Sequence, residues 1–235
     1  MEFDSAHLLD VLDEARNYNR FLLDAVLSFA GPSRTVLDFG AGSGRLAAAL
    51  HERGFRVQAI EPDPRLRARV ASHGVPAHPD FAALGGERFD YVVSLNVLEH
   101  CPDDEAVLRQ LFEHLVPGGR CLLYVPALMA LWTTNDTRVG HRRRYERKAL
   151  VALFERVGFV VEDARYQDSL GALAALAYRV AGRADGEITP GPVRLYDRLV
   201  FPLSRVCDVV AHRLAGKNLL VRARRPAEAT VGAPV

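Results

Sequence analysis

The sequence predicts a doubly wound α/β domain with a mostly parallel sheet, on three observations. Short apolar runs without polar alternation, such as residues 91–95, recur along the chain, and strands buried on both faces of a parallel sheet read that way. Between these runs lie stretches with apolar residues at helical spacing, so strands and helices alternate. A burst of glycines, FGAGSG at 39–44, follows the first strand at once and precedes a helical run. In such sheets ligands bind outside the carboxyl ends of the strands, near the switch in strand order.

In chain order, residues 8–26 place Leu8, Leu9, Val11, Leu12, Phe21, Leu22, Ala25 and Val26 at helical spacing, and Gly31-Pro32 ends an N-terminal helical segment over 1–30. Val36 and Leu37 begin the first strand. After the glycines a helix runs from 45 to 53 and Gly54 closes it. FRVQAIEPDP is a second strand ending in Glu61, with Pro62 and Pro64 as punctuation. Residues 65–72 are helical and 75–77 form a brief third strand. DYVVSLNVLEH supplies the fourth strand. DDEAVLRQLFEHL is a helix with Asp103 near its start and Pro117-Gly118-Gly119 as its stop. RCLLYVP is the fifth strand, and the polar stretch LWTTNDTRVGHRRRY separates it from a helix over 148–156. FVVEDARY is the sixth strand. LGALAALAYRV and VRLYDRLVFPLSRVCDVVAHRL are helical around a Gly/Pro-rich break, and NLLVRARR is the seventh strand. This amounts to one domain over 1–225, with a helical insert at 169–214 before the last strand and a disordered tail at 226–235.

Composition narrows the classes. A net charge of +1 offers no global field to draw the protein to nucleic acid, so no nucleic-acid partner is expected. Cys101, Cys121 and Cys207 show no CxxC pair and read as isolated reduced thiols of a cytoplasmic protein. The first twenty residues are too acidic and interrupted for a secretory signal. No uncharged apolar run reaches the length of a membrane span, so stable membrane insertion is not expected.

Two nucleotide-binding families use a glycine-rich first turn. The dinucleotide fingerprint needs a third glycine where this chain has Arg45, and a P-loop needs Gly-Lys-Ser/Thr, which is absent. The glycines here are Gly40, Gly42 and Gly44, with Asp38 just before them.

VLDFGAGSG, then AIEPDP, then FDYVVSLNVLEH, in this order and spacing, resemble the class I S-adenosylmethionine-dependent methyltransferases over nearly the whole chain. The resemblance implies a Rossmann-like core of about seven strands, the last antiparallel, and S-adenosyl-L-methionine as cofactor. It implies that the turn Phe39, Gly40, Ala41 and Gly42 approaches the amino-acid moiety and ribose, and that Glu61 accepts hydrogen bonds from the ribose hydroxyls. Pro62 and Phe81 would flank the adenine and Asp80 would accept from its amino group. Leu95, Asn96 and Val97 would lie beneath the methionine part, with His100 near the methyl donor. Tyr18, in NYNRFLLD, would reach over the cofactor from the preceding helix. GHRRRY is similar to a G-H-x-R-R-Y run of one methyltransferase subtype, where it suits a shared loop anchor.

Methyl transfer needs alignment, exclusion of water and removal of a proton from a hydroxyl or amine acceptor. His141 is the candidate base, with Asp136 five residues earlier to orient it. Arg142, Arg143 and Arg144 either grip a carboxylate or phosphate of the acceptor or pin the loop through acidic partners. Trp132, Arg144, Tyr145 and Tyr166, with Gln167 and Asp168 beside the last, are expected to shape the acceptor pocket. No carboxylate cluster follows the fourth strand, since Asp103 and Asp104 read as helix-start residues, so no metal is expected.

In the insert, Leu195, Leu199, Val200, Leu203, Val206 and Val210 fall on one side of a helix. Ordinary amphipathicity would pack that side on a neighbouring helix. The sharper alternative is an acceptor lid, or a surface for a lipid-linked or carrier-bound substrate. No N-P-P-Y-type tetrapeptide for a flipped base is present. The expected acceptor is a small molecule, methylated on oxygen in secondary or sugar-related metabolism, with N- or S-methylation open. A nicotinamide-dependent oxidoreductase and a non-catalytic S-adenosylmethionine-binding protein are the rival readings. The sequence leaves the oligomeric state open.

Overall fold

The computed structural model describes residues 5–180 and 189–227. Two helices, α1 (Ser5–Asp13) and α2 (Arg16–Ala30), lead into strand β1 (Thr35–Phe39). Then come α3 (Arg45–His51), β2 (Arg56–Ile60), α4 (Pro64–Ser72), β3 (Ala77–His78) and β4 (Phe89–Leu95). The chain continues through α5 (Asp104–Glu113), β5 (Leu115–Pro126), α6 (Thr134–Arg138), α7 (Arg147–Val157) and β6 (Val160–Gln167). It ends in α8 (Ser169–Val180), α9 (Pro190–Leu195), α10 (Phe201–Ala211) and β7 (Asn218–Arg224), with a π-helical turn Tyr196–Val200 joining α9 to α10.

The sheet order is β3-β2-β1-β4-β5-β7-β6, and β7 runs antiparallel to both of its neighbours. This is the seven-stranded, Rossmann-like sheet expected. Strand order reverses between β1 and β4, so the crevice for a ligand opens at their carboxyl ends. Burial alternates along the central strands. Val36, Tyr91 and Val93 face a layer with Val26, Phe29 and Leu50, while Leu37 and Val92 face Leu108, Leu111, Leu150 and Phe154. Both faces are apolar, which is why these strands read as unbroken hydrophobic runs.

Three local expectations change. The N-terminal segment is two helices, broken at Glu14-Ala15, because the Asn19 side chain donates to the Leu12 and Asp13 carbonyls and closes α1. Helix α5 stops before Pro117: Leu115 is fully buried and pairs with Phe89, so the Pro-Gly-Gly segment lies inside the irregular start of β5. The third strand is Ala77–His78, starting two residues later than expected and ending one later. Of the Gly/Pro-rich break, residues 181–188 lie outside the described residues, as does the tail beyond Ala227, while Pro190, Gly191 and Pro192 open α9 rather than interrupt a helix.

The insert corrects a larger expectation. The apolar side of its helices faces outward: Leu195, Leu199, Leu203, Val206, Val209, Val210 and Leu214 are each between 55% and 80% exposed. The inward side is polar. Asp197 accepts the backbone N–H groups of Asn17 and Tyr18 (2.9 and 2.8 Å), which are open donors in the first turn of α2. Asp208 accepts those of Asp168 and Ser169 (both 2.9 Å), and Ser204 Oγ that of Leu170 (3.0 Å), at the start of α8. The helix is thus moored by capping two other helices, with Phe201 packed edge-on against Tyr18. Replacing Asp208 with alanine strands two buried donors. It is expected to lower unfolding stability by about 1–3 kcal/mol in denaturant titration.

Candidate functional site

The turn after β1 is built around Gly40, whose φ is +77°. A Cβ there would lie 2.3 Å from Val97 Cγ2, so only glycine lets this turn sit against the segment after β4. Gly40→Ala is expected to cost about 1–3 kcal/mol in unfolding experiments through overpacking and to push the turn out of place.

Glu61, buried at the tip of β2, braces this turn. Its carboxylate accepts the N–H of Gly42 (2.8 Å) and of Asp63 (3.0 Å), tying the β1 and β2 turns together. Burial raises its pKa. Asp38, on β1 below the glycines, is deeply buried with Oδ2 unpartnered, and burial pushes its pKa to about 7. A raised carboxyl pKa opposes folding once the unfolded chain has ionised. Stability therefore falls as pH rises from the ordinary value of 3.8 to about 7, then levels. Asp38→Asn should remove that fall, so the stability of the variant relative to wild type rises between pH 5 and 8.

After β4, Asn96 has a left-handed backbone (φ +56°), as do Leu128 after β5 and Asp168 after β6. These non-glycine residues cluster at the carboxyl edge, where strained backbone marks functional sites. Asn96 Nδ2 donates to Tyr18 Oη (3.3 Å), so the helix α2 residue does meet the β4 turn. Toward β3, Phe81 stacks on Phe39 (centroids 5.0 Å apart), whose ring is buried in the core; the turn offers a ligand only Phe39's backbone. Asp80 Oδ1 caps the Ala83 N–H (3.0 Å), and Pro62 gives its carbonyl to Arg67.

The segment after β5 delivers the candidate acid–base pair. Short α6 opens with a capping box in which Thr133 and Asp136 satisfy one another. Asp136, 2% exposed, also accepts Nδ1–H of His141 (2.8 Å) and a forked pair from Arg144 (2.8 and 3.1 Å). These bonds hold its carboxyl well below the usual range, despite burial acting the other way. An ionised carboxylate only accepts, so His141 donates from Nδ1, and in the neutral ring Nε2 carries the lone pair.

The arginines settle as loop anchors. Arg142 donates to the His100 carbonyl and Arg143 to those of Cys101 and Pro102, while Arg143 also pairs with Asp104 (2.7 Å). Arg144 is spent on Asp136 and the Ala127 carbonyl rather than free for an acceptor carboxylate. Tyr145 is buried with its hydroxyl on the Leu98 carbonyl and Asp104, and it does not line an opening. Tyr166 is likewise buried, its hydroxyl accepting the Arg147 N–H at the start of α7, which corrects its expected place at the entrance. Gln167 and Asp168 are buried as well, held by Arg205 and Tyr196. Trp132 remains half-exposed beside α6, its Nε1 donating to Thr137.

One residue escaped the sequence reading. Glu99 lies between Leu98 and His100 in a 3₁₀ turn directly after β4 and has no solvent exposure. Neither of its carboxylate oxygens has a hydrogen-bond partner. Burial raises its pKa to about 8. His141 Nε2 lies 3.8 Å from Oε1, and the His100 ring stands edge-on to His141, 4.8 Å between centroids. The signal available in sequence was a lone acid beside a histidine at the end of an apolar strand.

The family profile described as "Methyltransferase domain" matches residues 13–164. A ubiquinone biosynthesis O-methyltransferase of Xanthomonas oryzae pv. oryzae (strain PXO99A) is 34% identical over 123 residues, covering 46% of this chain and 51% of its own. An uncharacterized methyltransferase of Mycobacterium sp. (strain KMS) is 32% identical over 113 residues, covering 46% and 45%. The chain thus spans about half the length of the curated relatives it matches. The solved S-adenosylmethionine-dependent methyltransferase of Thermotoga maritima superposes with a TM-score of 0.63 over 93% of this chain and 94% of its own, at 17% identity, a likeness of fold.

Proposed function

Because the chain belongs to the methyltransferase-domain family, we propose that it transfers a methyl group from S-adenosyl-L-methionine to a hydroxyl oxygen of a small molecule. The cofactor, when bound, supplies a methyl carbon on a positively charged sulfur, which an oxygen nucleophile takes in one in-line displacement. The donor set suits that molecule. Glu61 offers a ribose diol a carboxylate beside the glycine turn, and Gly40 lets that turn sit against Val97 in the segment after β4. The turn carries no phosphate reader, since Arg45 reaches back to the Asp13 carbonyl (2.7 Å). Tyr18, Asn96, Val97 and Phe81 complete the cradle in this reading, with Asp80 and Pro62 at its adenine end.

The observation that carries the reading is His141, held by ionised Asp136 with Nε2 turned toward the β4 turn. A neutral imidazole so oriented takes the hydroxyl proton as the oxygen attacks, a role that general bases fill with about 10²–10⁴-fold effect. The GHRRRY arginines hold this loop in place, and the insert at 169–214 roofs the acceptor side of a single domain. The name of the Xanthomonas relative supports oxygen as the acceptor atom.

The test is transfer of isotope-labelled methyl to a panel of phenolic, sugar and amine acceptors, with products read by mass spectrometry. Methyl ethers support the reading. Methylamines alone would overturn the oxygen assignment. Binding of S-adenosylhomocysteine without turnover of any acceptor by wild type would favour a binding-only protein.

A further inference from the structure

We propose that Glu99, His100 and His141 bind a divalent first-row transition cation at the mouth of the crevice. The role given to that cation below rests on the methyltransferase reading; its binding does not. One donor atom from each of the three residues lies within 4.8 Å of the others. Glu99 and His100 come from the turn after β4, and His141 comes from the loop after α6, so the fold closes this group from two separate segments.

Glu99 is the independent pointer. A fully buried carboxylate is expected to be paired or to hold a metal, and this one has neither oxygen satisfied. Its nearest imidazole nitrogen, His141 Nε2, lies 3.8 Å from Oε1, beyond hydrogen-bond reach. The Glu99 carboxyl and the His141 ring nitrogen therefore face each other with no hydrogen bond between them. The carboxylate–histidine arrangement beyond this gap is the support that metal-bound histidines characteristically have.

Ligand type selects the ion. Two imidazoles and one carboxylate suit zinc-like and other first-row transition cations better than the all-oxygen sites of Mg²⁺ or Ca²⁺. Three protein ligands leave coordination positions open, as in catalytic rather than structural sites. The opening is on the side of His100, which is exposed, while Glu99 is sealed. Metal–ligand bonds of about 2.0–2.2 Å need the donors nearer to one another than they stand, and rotation of the exposed His100 ring supplies that motion.

In this arrangement the acceptor hydroxyl oxygen takes an open position and its pKa drops, as that of zinc-bound water drops from 15.7 to about 7. The hydroxyl proton leaves to solvent on the His100 side. The oxygen–methyl bond then forms as the sulfur–carbon bond breaks, its electron pair remaining on sulfur. With the ion bound, His141 Nε2 is occupied as a ligand and no longer takes the proton as it does in the metal-free reading, while Asp136 raises its basicity toward the ion.

The experiment uses the full chain freed of metal by chelator and dialysis, titrated with CoCl₂ under visible spectroscopy and with ZnCl₂ by calorimetry. S-adenosylhomocysteine affinity is measured on the same samples. The expected result is one equivalent of Co²⁺ with ligand-field absorption. Glu99→Gln and His100→Ala should each abolish this, and Asp136→Asn should weaken it about 10–100-fold. His100→Ala alters an exposed residue, so it decides the matter if Glu99→Gln does not fold. No Co²⁺ or Zn²⁺ binding by wild type, with S-adenosylhomocysteine still bound, overturns the metal site and leaves the methyltransferase reading standing. Metal binding undiminished in His100→Ala also overturns it. Metal binding without S-adenosylhomocysteine binding keeps the site and sinks the methyltransferase reading instead.

Discussion

Replacing Glu61 with alanine is expected to weaken S-adenosylhomocysteine binding by about a hundredfold or more in calorimetric titration. A hydrogen bond to a charged group is worth about 1.5–3 kcal/mol, and the proposal gives Glu61 two such bonds to a ribose diol. The variant also releases the N–H groups of Gly42 and Asp63, so the two turns that frame the ligand lose their common brace. Glu61→Gln keeps an acceptor oxygen and removes the charge, and should fall between wild type and alanine. NAD in a parallel titration should show no binding to any of the three. Unchanged affinity in Glu61→Ala would mean that the carboxylate serves the turn alone.

Asp136→Asn should have the second large effect, on turnover and on stability together. Its carboxylate satisfies His141, Arg144 and Thr133, and an amide of the same shape has a single acceptor oxygen for all three. Arg144 is then left nearly buried without its counter-charge, which for broken buried pairs costs about 3–5 kcal/mol. kcat should fall about 10²–10⁴-fold while affinity for S-adenosylhomocysteine stays near wild type, because Glu61 lies on another strand. The pH dependence has a definite sign. The folded pKa of Asp136 is depressed, so its stabilisation is complete above the ordinary value of 3.8 and is lost as pH falls toward the folded value. The stability gap between wild type and variant should therefore persist at neutral pH and shrink in acid.

The sheet was legible because its signals are local. The apolar runs of β1, β4 and β5, the glycine turn and the acid at the tip of β2 each need only a few neighbouring residues to be read. Pairing between distant side chains does not declare itself that way. Nothing in GHRRRY distinguishes an arginine that grips a substrate from one that holds Asp136, and only the fold places Arg144 there. Tyr166 read as a rim residue because it ends a strand at the ligand-binding edge. The side of β6 that it occupies faces α7. The insert misled for another reason. Periodicity located an apolar stripe correctly, but orientation was decided by three polar residues, Asp197, Ser204 and Asp208, whose partners lie up to 180 positions away. Glu99 was hidden by its setting, since one acid in LEH at the end of an apolar strand passes for a helix-start residue.

The mooring of the insert bears on how such a protein can change over generations. While the Asn17 side chain adds a bond to the Asp197 carbonyl, the side-chain oxygens of Asp197, Ser204 and Asp208 reach the main-chain N–H groups of Asn17, Tyr18, Asp168, Ser169 and Leu170. Such a bond is indifferent to the side chain that the donor residue carries. Descendants can therefore exchange residues at the starts of α2 and α8 without losing these main-chain bonds, Asn17 and Tyr18 excepted, because their side chains also hold the insert. Drift in the sequence of these two helices is thereby partly separated from drift in architecture, because three short polar side chains carry the main-chain bonds that hold the insert to both.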